Sequence, residues 1–269
     1  MANMLSREMG PEELQEHILA TYLTLRIGIA VIGAAFPFIL AAGGYFYSHL
    51  CLQNSMSAYY HASVMGGRSM RDWFVGLLFA VGVFLYLYKG YSKIENYLLN
   101  AAGLLAVGVA VFPMPWNNSC DLRVCSAAVA VSGCPSAMFT IHGFCAITFF
   151  LSIALVCFIC ADDTLPLIND EKTRKRLHRT YRVIGLVMIG SMAAAWALNT
   201  IIRNGQRTFY VEAVGIISFA AYWFTKSLEL KKTAAERKAV RGHLRRSKGR
   251  IESADQPITA PPPLVKPNR

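Results

Sequence analysis

Charge is scarce in this sequence. Only 16% of its 269 residues are Asp, Glu, Lys or Arg, against about a quarter in a soluble domain. The charges present are also gathered rather than spread. They concentrate in 172–182 and from Lys226 onward, where twelve Lys/Arg against four Asp/Glu supply a net +8 of the chain's +11. Other absences narrow the function classes. No G-K-[ST] loop, G-x-S-x-G elbow or H-E-x-x-H helix occurs, so ATP use, serine esterase chemistry and zincin chemistry have no motif to rest on. No internal repeat is visible, which removes the sequence mark of an inverted-repeat transporter. The segment 1–26 holds four glutamates and no compact apolar stretch, so it does not read as a cleavable signal peptide.

What the sequence has in abundance is uncharged length. Apolar residues make up 54% of it, and they fall in six runs: 27–50, 73–88, 97–112, 139–161, 183–202 and 209–225. A bilayer core of roughly 30 Å takes about 20 helical residues to cross. The expectation is therefore an all-α, polytopic membrane helix bundle of six spans, occupying 27–225. An amphipathic segment, 1–26, feeds it after Gly10-Pro11, and a basic tail, 226–269, follows it. Lys and Arg favour one side, with six in 162–182 and the tail beyond, so the positive-inside rule puts both termini in the cytoplasm. The expected location is the bacterial inner (plasma) membrane, as a multi-pass protein. A basic tail directly after an apolar helix reads as a partner for anionic lipid headgroups, not for nucleic acid. Its Pro-rich end, 257–269, is expected to be disordered.

The cysteines sort by position. Cys120, Cys125 and Cys134 fall in the third connection, outside under this topology, where two of the three could pair. Cys145, Cys157 and Cys160 lie in the fourth span, where the C-x-x-C spacing reads as packing. Glycines scattered through the spans, Gly28, Gly33, Gly76, Gly82, Gly103, Gly108, Gly185 and Gly190 among them, suit close helix approach in any packed bundle and imply nothing about function.

The ionisable residues near the membrane carry more information. His61 lies between spans one and two, Asp72 opens span two, His142 sits one turn into span four, and Glu212 lies at matching depth in span six. All four reach one depth on one side. Ionisable groups at such depth are costly unless they share a cavity or pair. If 57–61 is helical, Ser57 and His61 share a face. His61, Asp72, His142 and Glu212 are then a candidate zinc set, with Ser57, Asp72 and Glu212 as candidate catalytic groups for metal-assisted hydrolysis. Each residue also has a plain structural role open to it. His61 could sit in an aromatic belt, and Asp72 could cap its helix or pair with Arg68 or Arg71. His142 could bond a carbonyl, and Glu212 could pair with Arg203 or Arg207.

Ser57-x-x-x-His61 followed by Asp72 at a helix start resembles the signature of the superfamily of alkaline ceramidases and progestin/adipoQ receptors. That resemblance implies a seven-helix membrane protein in which Ser, His and Asp, with a further histidine pair, hold zinc and hydrolyse lipid amides. The present sequence has one span fewer and no H-x-x-x-H in its last span. The stretch 55–88, with Arg71-Asp72-Trp73-Phe74-Val75-Gly76, resembles DUF998-type bacterial membrane proteins. Two functions are thus expected alternatives. One is a zinc-dependent lipid hydrolase with its site at the outer end of the bundle. The other is a non-catalytic lipid sensor or partner-anchoring subunit with a structural polar cluster.

Overall fold

The computed structural model describes residues 10–62, 69–116, 122, 124–125, 140–200, 208–233, 244–247 and 250–253. Gly10 caps the first helix and Pro11 occupies its first position, where a missing N–H loses no hydrogen bond. Helix α1 (Pro11–Ser48) then continues for 38 residues, about 57 Å. The amphipathic segment and the first span are therefore one continuous helix. It stops at His49, whose φ of 56° places it in the left-handed region that commonly ends helices.

A 3-10 helix, Met56–His61, precedes α2 (Met70–Leu87), which leads through a short turn to α3 (Lys93–Val111). Ser92 caps α3 by accepting the Glu95 N–H at 3.1 Å, and Thr140 caps the next helix by accepting from Gly143 at 3.3 Å. That helix, α4 (Ile141–Leu155), widens into a π-helical turn (Val156–Cys160) and ends in 3-10 turns at Ala161–Asp163 and Leu165–Leu167. Helices α5 (Glu171–Thr200) and α6 (Thr208–Thr233) follow. The short antiparallel pair β1 (Leu244–Ser247) and β2 (Arg250–Ser253) packs through β2 against the turns after α4.

Six helices are long and apolar enough to cross a membrane. Each packs against its sequence neighbours, and α6 returns to α1, so the six close into a ring. Helices α2 and α3 approach each other backbone to backbone. A Cβ on Gly103 would stand 2.6 Å from the Gly82 carbonyl oxygen, and one on Gly82 would stand 2.8 Å from that of Gly103. Only glycine fits at such a backbone contact. Large apolar side chains cover the outside of the ring, including Phe38, Leu104, Phe144, Leu186 and Phe224. A soluble protein of this size would not display so much apolar surface, whereas a bilayer accepts it.

Two features differ from the sequence expectation. Helix α6 runs past Thr225 to Thr233, with Lys226 and Glu229 buried inside the bundle. The basic tail therefore does not begin at Lys226. The second difference is covalent. Cys125 pairs with Cys51, 74 residues earlier, and not with Cys120 or Cys134, which lie outside the described residues. Because α1 stops at His49, Cys51 is carried clear of the helix. Leu50 bridges to Val124, and the Cys125 N–H donates to the His49 carbonyl at 3.4 Å. Closing a loop of that length stabilises by roughly 4 kcal/mol in the chain-entropy picture. The Pro-rich end also lies outside the described residues, as do Arg68, Arg203 and Arg207.

Candidate functional site

Two polar clusters occupy opposite ends of the ring. The first is built where the 3-10 helix meets the start of α4, the start of α6 and the end of α3. Pro113 and Pro115 explain its architecture. A residue before proline is driven to extended backbone, and Phe112, at φ −99° and ψ 102°, ends α3 in that way. The prolines also lack N–H groups, so the segment presents carbonyls with few local donors. Two histidines take them. His142 bonds the Phe112 carbonyl through Nδ1 at 2.7 Å, and His61 bonds the Met114 carbonyl through Nε2 at 3.0 Å.

These bonds fix the chemistry of His142. A carbonyl only accepts, so Nδ1 carries the proton, and Nε2 of the neutral ring presents a lone pair. The Ser57 hydroxyl lies 2.9 Å from that nitrogen and donates to it. His61 instead stacks on Trp116, with ring centroids 4.5 Å apart. Burial pushes the His61 imidazole below its ordinary pKa. The Met114 carbonyl opposes that shift, and the Arg71 charge adds to it.

Glu212 reaches from α6 to the start of the 3-10 helix. Its Oε2 accepts the Met56 N–H at 2.7 Å and its Oε1 accepts from Ser55 at 3.1 Å. Ser55 Oγ in turn accepts the Ser57 N–H at 3.1 Å, and the Phe209 N–H donates to the Asn54 carbonyl at 2.7 Å. The 3-10 helix is thus fastened to α6 by backbone and side chain together.

The sequence-expected residues divide accordingly. Ser57 and His142 meet directly, and Glu212 holds the turn that carries Ser57. His61 occupies the neighbouring carbonyl two residues along from the one His142 takes. Asp72 stays exposed in the first turn of α2, where its charge suits the helix N-terminus. No hydrogen bond joins it to the others among the described residues. Arg71, its neighbour, turns to Tyr60, donating to the hydroxyl at 2.7 Å with its guanidinium 4.4 Å from the ring centroid. Because Met56–His61 is a 3-10 helix of about three residues per turn, positions four apart do not align. Ser57 and His61 accordingly bond different partners. Among the described residues no three His, Cys, Asp or Glu side chains gather to hold a metal ion. Of the expected zinc set, His61, His142 and Glu212 bond carbonyls, hydroxyls and a backbone N–H, while Asp72 stands apart from them.

The second cluster was not anticipated. Lys226 and Glu229, both buried on α6, pair at 3.3 Å. The Lys226 ammonium also donates to the Thr164 hydroxyl at 2.7 Å, while Thr164 and Tyr181 each donate to the Glu229 carboxylate. Glu95, buried at the start of α3, accepts the Tyr91 N–H at 2.7 Å. Arg26 is buried on α1. A Lys-x-x-Glu spacing at a helix end was the available signal, but that pattern is commonly a solvated surface pair.

No family model matches this sequence, and no curated protein or solved structure is significantly similar to it. The reading of function therefore rests on the residues themselves.

Proposed function

We propose that this is a non-catalytic, multi-pass membrane protein that recognises lipid, and that its polar cluster near Ser57 is a clamp. Lipid recognition rests on the Lys/Arg gathered beside the spans, six of them in 162–182, and one observation carries the clamp. Both carboxylate oxygens of Glu212 and both ring nitrogens of His142 are spent on the chain's own backbone and hydroxyl groups. Side chains so engaged fasten the 3-10 helix and the Phe112–Met114 segment across the end of the ring. The lopsided Lys/Arg distribution supports cytoplasmic termini, which would place the clamp on the opposite side of an inner membrane.

A second reading has its own support in the Ser57–His142 contact. A hydroxyl donating to a histidine, itself oriented through Nδ1, is the general form of an activated nucleophile. On that reading Ser57 would attack the carbonyl of a lipid ester or amide and His142 would take its proton. It lacks an oxyanion site in the same turn, because the Met56 and Ser57 N–H groups are already bound to Glu212 and Ser55.

A serine-reactive fluorophosphonate applied to the purified full chain in lipid nanodiscs separates the two. The clamp reading expects no label that disappears in Ser57→Ala. Stoichiometric labelling of the native chain, lost in Ser57→Ala, would overturn it in favour of the hydrolase.

A further inference from the structure

Helix α5 begins well before its apolar stretch, and its early turns carry a cationic stripe. Lys172, Lys175, Arg176 and Arg179 follow the spacing that brings residues onto one helix face, and all four are exposed. With Val183 and Ile184 they line a depression of about 510 Å³. Of the four, Lys175 has an acidic partner, Glu171 at 2.7 Å. Among the described residues Lys172, Arg176 and Arg179 have none. Below the cations the same face becomes apolar. Val183, Leu186 and Val187 are 56%, 61% and 37% exposed, which marks them as lipid-facing in a membrane helix.

We infer that this groove binds one anionic phospholipid, with its phosphate on Arg176 and Arg179 and an acyl chain along Val183 and Val187. The division of the surface selects the occupant. A guanidinium pair suits phosphate oxygens with planar, forked donors, and the position at a span's end is where a headgroup meets the protein. A soluble phosphate would use the cations and leave the apolar half unfilled. This inference deepens the lipid-recognition reading and gives it a site on α5, apart from the tail.

The test is native mass spectrometry of the full chain, released from nanodiscs of phosphatidylcholine containing phosphatidylglycerol. The comparison covers the native chain, Arg176→Gln/Arg179→Gln, and Lys231→Gln/Lys232→Gln at the exposed end of α6. The native chain and the α6 variant should retain phosphatidylglycerol selectively, and the α5 variant should lose about tenfold or more of that preference. Soluble glycerol phosphate should not compete. Competition by glycerol phosphate, or retention undiminished in the α5 variant, would overturn the groove. Loss confined to the α6 variant would move lipid recognition to the tail region and leave the general reading standing. Absence of any anionic preference in the native chain would remove both. Because the substituted arginines are exposed, equal melting temperatures should confirm intact folding.

Discussion

Lys226 shows how far a single residue can mislead a reading of the sequence. A lysine after an apolar run reads as the point where a span leaves the membrane, yet here it is 1% exposed and hydrogen-bonded inside the bundle. The one local sign, Glu229 three residues on, reads equally as a solvated pair, because the groups that enclose Lys226, the Thr164 hydroxyl and the Tyr181 ring 5.5 Å away, come from other elements. His142 was legible as a candidate by its depth, and Ser57 by its spacing from His61. Their meeting was not, since it depends on the Phe112 carbonyl orienting the ring. Breaking the inner pair should be more damaging than removing it. Glu229→Ala leaves a buried ammonium without its carboxylate, and such a loss costs about 3–5 kcal/mol. Lys226→Met combined with Glu229→Leu should recover most of that stability. Thermal unfolding in detergent compares them, and an unaffected Glu229→Ala would contradict the buried pairing.

At the scale of elements, the sequence was most informative where backbone chemistry is unambiguous. Gly10-Pro11 opened α1 as expected, and Pro113 ended α3, because proline restricts both itself and its predecessor. Helix ends set by tertiary packing were not readable, which is why α6 overran Thr225. Cys51 went unassigned for the same reason, since its distance from the membrane depends on α1 stopping at His49. The contact of α2 with α3 offers a sharp check. Gly103→Val would drive side-chain atoms into the Gly82 carbonyl, while Gly76→Val, where added atoms meet open space, should be tolerated. Gly103→Val is expected to lower the melting temperature or abolish folded yield on size-exclusion chromatography. Equal behaviour of the two variants would mean that the helices do not meet there.

For the whole molecule, six crossings were visible as six apolar runs, and six membrane-length helices are present. Ring closure of α6 on α1 was not visible, since an apolar run says nothing about which helix it faces. Orientation rests on the Lys/Arg asymmetry and is open to direct measurement. Reporter fusions at Asp163 and Cys120 should give opposite compartment signals, with Asp163 cytoplasmic. The same signal at both would sink the six-span arrangement.

The central claim is that the polar residues around Ser57 hold the bundle together. It is tested most directly by the thermal stabilities of Ser57→Ala, His142→Ala and their combination in the full chain. A clamp predicts that each single change destabilises by about 1 kcal/mol or more and that the pair is coupled, so the double variant loses less than the two losses added. Catalytic groups are held at a cost to stability, and their removal commonly leaves a protein as stable or more so. Single variants that melt at or above the native temperature, with no coupling between them, would contradict the clamp.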